Sequence, residues 1–246
     1  MLKTLIAVPF AVLMATTASA ADLGPETGPI TSWTGFYAGL QLGGGFGDTG
    51  TFALSPFTAG LQNAFAPGFD GDFDNGVVGG AHIGYDQQFD RVVLGGILDL
   101  TFTDLGDKQE GRSITPATYT IGRDLDYFAT LRARLGYLVT DDVLLYATGG
   151  LAYGDVDFSY SQPGSGARTT TSGGQDSDFG YTVGAGFETK LTQQISLGVE
   201  YLYTNLGGND FKANLVGGPF GAGTTGFGTS EDFDFHTVQL KLTYRF

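Results

Sequence analysis

Seven charged side chains carry most of the chemistry this sequence could perform: Asp99, Arg132, Arg134, Glu188, Glu200, Lys241 and Arg245. Each stands beside apolar neighbours in a stretch that alternates by twos, so each belongs to one face of an extended segment. Opposite charges gathered on such faces can neutralise one another as a buried network, or can line an ion pathway. Glu200 is expected to meet Lys241, and Asp99 to meet both Arg132 and Arg134. His82 and His236 are the only histidines. A hydrolytic or metal site built on them needs both on one face, and their parities are opposite. His82 is therefore expected to be an interior hydrogen-bonding group and His236 an interface residue. Asp70-Gly71-Asp72-Phe73-Asp74 has the spacing of a calcium loop's first three ligands, but the sixth position is Asn75 rather than Gly and the twelfth is Ala81 rather than Glu. Cysteine is absent, which excludes disulfides, thiolate catalysis, Cys-ligated zinc and lipid attachment at a cysteine.

The segments that must position these groups are strands. Phe36, Ala38, Leu40, Leu42 and Phe46 are apolar, with Tyr37, Gly39, Gln41, Gly43 and Gly45 between them. The same period recurs at 77–86, 94–103, 127–136, 145–153, 181–188, 196–204 and 237–246. Period two marks a strand with two unlike faces. There are about eight such strands of roughly 10–14 residues, at or above the ~9–11 that cross a bilayer at a tilt. A soluble sandwich uses strands of ~5–6 residues and turns its polar face to water. Here charges sit mid-strand among glycines, which suits a polar interior and an apolar face toward lipid. The expected fold is all-β, an eight-stranded antiparallel up-and-down transmembrane β-barrel. The connections, 48–75, 90–91, 104–125, 139–142, 157–177, 192–194 and 206–231, alternate long and short. Outer-membrane barrels alternate external loops and periplasmic turns in this way.

Composition agrees. Glycine supplies 41 of 246 residues and charged residues only 15%, against the ~7% and ~25% of ordinary soluble domains. The formal charge of −14 argues against nucleic acid as a partner, because a phosphate backbone needs a basic footprint. Lys3, an apolar run from Leu5 to Met14 and the small-x-small end Ala18-Ser19-Ala20 read as a secretory signal over 1–20. Ten apolar residues make only ~15 Å of helix, about half a bilayer core. Residues 21–33 are then an N-terminal periplasmic segment and 34–246 the barrel domain, exported by a Sec-type route to the outer membrane. No helical pattern follows the last strand, so no peptidoglycan-binding domain is expected.

Several boxes resemble a known family. Trp33-Thr34-Gly35-Phe36-Tyr37-Ala38-Gly39 is similar to the first-strand signature of the alphaproteobacterial eight-stranded outer-membrane barrels, the major outer-membrane proteins of the Brucella, Bartonella and Rhizobium type within the OmpA-like superfamily. Gly79-Gly80-Ala81-His82-Ile83-Gly84-Tyr85-Asp86 resembles the second-strand box, and Leu131-Arg132-Ala133-Arg134-Leu135-Gly136-Tyr137 the fourth. Leu145 to Gly154, Gly184 to Glu188 and Glu200 to Tyr203 resemble the fifth, sixth and seventh. The likeness lies in the strands and not in the loops. It departs at Ile97, where the family commonly carries Glu. Val238, Leu240, Leu242, Tyr244 and Phe246, at alternate positions back from the C-terminus, look like the signal by which the outer-membrane assembly machinery recognises a barrel; physically, such a strand can add to an open sheet edge.

An eight-stranded barrel is just wide enough for side chains to fill it, and the seven charged residues would occupy that space. The expectation is a non-enzymatic, structural, envelope-stabilising and surface-display protein with no cofactor. The alternatives are a narrow porin-like channel and a surface adhesin or haemin-type ligand-binding barrel. For haem iron the loops offer Tyr119 or Tyr160 but no His or Cys. Outer-membrane deacylases place Ser two residues after the His; here those positions are Gly84 and Val238. The expected partners are outer-membrane lipids, lipopolysaccharide and, during biogenesis, the assembly machinery. Divalent cations could bridge lipopolysaccharide phosphates to the acidic clusters at Asp70–Asp74, Asp104–Glu110 and Glu231-Asp232-Asp234.

Overall fold

A computed structural model describes residues 32–47, 69–113, 117–162, 168–172, 178–207, 211–216, 225–229 and 232–246. The leader expected at 1–20, residues 21–31 of the N-terminal segment, and Glu231 lie outside the described residues. The described strands are β1 (Gly35–Phe46), β2 (Phe69–Asp74), β3 (Gly76–Phe89), β4 (Val92–Ser113), β5 (Ala117–Thr140), β6 (Val143–Ser161), β7 (Arg168–Ser172), β8 (Asp178–Lys190), β9 (Ile195–Asn205), β10 (Phe211–Val216), β11 (Thr225–Thr229) and β12 (Asp234–Arg245).

Eight of these close a ring. The antiparallel pairs run β1–β3, β3–β4, β4–β5, β5–β6, β6–β8, β8–β9 and β9–β12, and β12 returns to β1. Closure satisfies the backbone of every barrel strand without water, which lipid does not supply. Alternation then sorts the side chains. Leu40, Leu42, Ile83, Leu98, Leu131, Leu145 and Leu240 are exposed, whereas Gln41, His82, Asp99, Arg132, Glu200 and Lys241 are buried. An apolar outer surface this continuous marks contact with a membrane.

Aromatic side chains bound that surface at both ends. Phe36, Tyr85, Tyr137, Tyr244 and Phe246 are exposed near the short turns, and Phe46, Phe102, Phe179 and Tyr181 at the opposite end. β1 alone carries a member of each girdle, Phe36 and Phe46. Ten steps of ~3.3 Å, tilted ~40°, span ~25 Å, the height of a lipid-facing band. Between β3 and β4 the turn is Asp90–Arg91, where Asp90 takes φ 54°. Asp tolerates that left-handed conformation better than most residues.

The external side departs from the sequence reading. The connection expected at 104–125 is mostly strand: β4 runs to Ser113 and β5 begins at Ala117, paired from Leu105↔Leu125 to Ser113↔Ala117. β6 follows β5 outward as far as Ser161. β2, inside the connection expected at 48–75, pairs with the outer part of β4, Phe69↔Gly111 through Asp74↔Gly106. The segment with calcium-loop spacing is therefore extended strand. β7, β10 and β11, drawn from the other two long connections, form a separate three-stranded sheet. The extension holds because its inward positions still alternate: Leu105, Asp107, Gln109, Tyr119, Ile121, Arg123 and Leu125 are all buried.

Candidate functional site

The lumen holds three tiers of charge, with an apolar cluster between the upper two. In the middle tier Arg132 projects from β5 toward Asp99 on β4 and Glu200 on β9. Its Nη2 donates to Asp99 Oδ2 at 2.7 Å and to Glu200 Oε2 at 3.1 Å; its Nη1 donates to Glu200 Oε1 and to Thr148 Oγ1, each at 2.8 Å. Nε is shared between Asp99 Oδ2 and Thr130 Oγ1. Lys241 on β12 closes the circuit, its Nζ 3.1 Å from Asp99 Oδ1 and 2.9 Å from Glu200 Oε2. Two cations and two carboxylates thus share the tier. His82 lies beside it, with Nδ1 3.1 Å from Gln41 Oε1 and Nε2 3.0 Å from Thr243 Oγ1. Its ring passes over Gly39, where a Cβ would lie 2.6 Å from the imidazole.

Asp99 does not meet Arg134. Arg134 is two residues nearer the short β5–β6 turn and stands opposite Gly95, whose other partner across the sheet is Asp86. Because Gly95 has no side chain, Asp86 and Arg134 meet across its strand. Arg134 Nη1 donates to Asp86 Oδ2 at 3.1 Å and Nη2 to Glu188 Oε2 at 2.5 Å. Arg245 Nη2 reaches the same Asp86 oxygen at 2.9 Å. Ser196 Oγ donates to Glu188 Oε1. This lower tier again balances two cations against two carboxylates. Arg134 also lies 4.0 Å from the centre of the Tyr146 ring, a cation–π contact.

At the end of the short turns the lower tier is covered by Trp33. Sequence assigned that residue to the periplasmic segment; the structure buries it completely, with Val93, Leu138, Leu144 and Tyr146. Its backbone N donates to Gln88 Oε1 at 2.8 Å, its Nε1 donates to Asp141 O at 3.0 Å, and its carbonyl accepts from Arg245 Nη1 at 2.5 Å. Lys190 Nζ stands 4.9 Å from its ring centre. One residue, through its backbone and its ring, thus ties together β3, the β5–β6 turn, β8 and β12.

Above the middle tier the lumen is apolar. Val78, Leu105, Leu125, Phe128, Ala152, Val156, Leu206, Phe233 and Phe235 form one buried cluster. Phe128 and Phe235 pack edge to face at 5.2 Å. Beyond them Arg123 and Asp107 make a two-pronged ion pair, Nε to Oδ1 at 2.9 Å and Nη2 to Oδ2 at 2.5 Å. Asp86, Asp107, Arg123 and the apolar cluster were not singled out from the sequence. Asp86 has the parity of His82, and that was its signal. Asp107 and Arg123 lay in a segment read as loop.

On the outer surface, His236 Nδ1 lies 2.6 Å from Tyr201 Oη and its ring stacks with Phe46 at 5.4 Å, within the external girdle. Val238, Leu240, Leu242, Tyr244 and Phe246 line the lipid face of the last strand. On the extension, Lys108 Nζ donates to Asp74 Oδ2 at 2.6 Å, and that hydrogen bond raises the ammonium above its ordinary pKa. Among the described residues no group of three or more His, Asp or Glu converges on a point that could hold a metal ion.

A family model described as "Outer membrane protein beta-barrel domain" matches residues 8–246. The chain belongs to that family. The 31 kDa outer-membrane immunogenic protein of Brucella melitensis biotype 1 is 33% identical over 260 residues, covering all of both chains. The 22 kDa outer membrane protein of Rhizobium leguminosarum bv. viciae is 30% identical, across 89% of this chain and 80% of that one. In structure the family barrel resembles OprG of Pseudomonas aeruginosa, with a TM-score of 0.59 at 13% identity over 89% of this chain and 100% of that one. Family membership places the protein in the outer membrane. Its short turns therefore face the periplasm and its strand extension faces outward.

Proposed function

We propose that this protein is a closed structural barrel: it anchors an external strand platform in the outer membrane and conducts no solute. The observation that carries the reading is the filling of the lumen. Both lower tiers are neutral within themselves, so neither holds an excess charge to recruit a permeant ion. An apolar cluster led by Phe128, Phe233 and Phe235 lies across the lumen above them. The barrel is read as non-catalytic, since both ring nitrogens of His82 are engaged by Gln41 and Thr243, and His236 is on the opposite face. Its partners are the lipids around the apolar band and lipopolysaccharide at the external girdle. Divalent cations bridge lipopolysaccharide phosphates to the exposed carboxylates of Asp72, Asp104 and Asp232. The assembly machinery recognises the strand ending in Tyr244 and Phe246 before β12 closes on β1.

Planar-bilayer recording on the refolded, purified protein tests this. The expected record has no stable single-channel steps. Steady conductance like that of a general diffusion porin overturns the closed-barrel reading.

A further inference from the structure

We infer a phospholipid site on the lipid face of β1, β3, β4 and β5, in the periplasmic leaflet, that holds one acyl chain. The lipid-facing row of β4 runs Val92, Leu94, Gly96, Leu98, Leu100 and Phe102, a line of large apolar side chains with a single glycine in it. A glycine inside a strand gives up packing and often marks a place where a ligand approaches the backbone. At Gly96 a groove of about 530 Å³ opens. Ala38, Gly84 and Gly96 make its floor. Phe36, Tyr85 and Phe246 wall its periplasmic side, with Phe36 and Tyr85 in ring contact at 4.8 Å. Leu98 and Leu131 wall the other side. The groove is continuous with the lipid-facing band and lies beside the periplasmic girdle, so an acyl chain enters it without leaving the membrane. At its periplasmic end Tyr85 Oη donates to Gln87 Oε1 at 3.1 Å and Gln87 Nε2 donates to Thr34 Oγ1 at 3.4 Å. That polar group sits where a phospholipid headgroup belongs, at the level of an amphipathic tyrosine.

The test is native mass spectrometry of the full-length protein extracted from membranes in mild detergent. Wild type is expected to retain one phospholipid. Gly96→Leu fills the groove, and the added Cβ is free of clash, its nearest neighbour being Arg132 O at 3.9 Å. It should lower the lipid-bound fraction about tenfold, the effect of ~1.4 kcal/mol in binding. Ala38→Leu fills the same groove from β1 and gives a second reading if the first variant folds poorly. Gly149→Leu is the control: it is also lipid-facing, an added Cβ there would lie 3.8 Å from Thr182 O and Val183 Cγ1, and it is no part of the groove. It should retain the lipid. Heat-modifiable migration establishes that each variant still forms the barrel. Equal retention in Gly96→Leu and wild type, or no retained lipid in wild type, overturns the proposal. So does a lipid-free dimer that Gly96→Leu converts to monomer, because the groove would then seat a second copy.

Discussion

Arg132 sends all five of its N–H donors to acceptors and stands between two carboxylates. Remove it, and Asp99 and Glu200 share Lys241 alone, which leaves one buried negative charge in excess. Breaking a buried pair in this one-sided way costs about 3–5 kcal/mol, much more than the intact pair contributes. Arg132→Met should therefore lower barrel stability by about that amount, read from the urea midpoint in detergent with an unchanged m-value. Adding Glu200→Gln restores the balance of charge, so the double variant should be more stable than Arg132→Met alone. Additive losses would show that neutrality is not what organises the tier. The same reasoning explains the pairing of Arg134 with Asp86. Asp99 already has Arg132 and Lys241, and Gly95 leaves space for a carboxylate from the next strand.

At the scale of the strand, β12 has two lives. In the folded barrel both its edges are used, by β1 and by β9. Phe246 then adds one backbone hydrogen bond to Phe36 O and an edge-to-face contact with Tyr244. Before closure, the same strand has an open edge and an apolar alternate face, which is what another sheet needs in order to add it. Deleting Phe246 should thus slow insertion in cells and leave protease-sensitive chain in the periplasm. Refolding of the purified chain into detergent should change little, since only those terminal contacts are lost. Wild-type insertion rates in cells would remove the terminal aromatic from the assembly signal. Parity made both faces of every barrel strand legible in the sequence, because one misplaced residue would have turned a whole row from lipid to lumen. Strand ends were not legible. Asp104, Gly106, Asp107, Lys108 and Gly111 have poor strand propensity, and they are held extended by what they meet: Leu125 across the ladder, Arg123 beneath it and β2 alongside. Such support is tertiary and leaves no mark in a local window.

For the molecule as a whole, the question is which layer closes the lumen. The charged residues alone suggested a lumen filled by polar side chains. The structure adds an aromatic layer above them and Trp33 below, so on the closed-barrel reading proposed above closure is redundant along the axis. Each layer must be tested with the others in place. Phe128→Ala combined with Phe235→Ala removes two rings that meet at 5.2 Å in the upper cluster. Their loss should cost several kcal/mol, as truncations of buried aromatics do. It should open no stable conductance, because the middle tier still fills the lumen with four charged side chains already paired to one another. An ion entering from outside would have to break one of those pairs while giving up its own hydration, and no net charge awaits it there. Stable single-channel steps in this double variant, with wild type silent, would show that the aromatic layer is the true barrier and that the charged tiers are permeable.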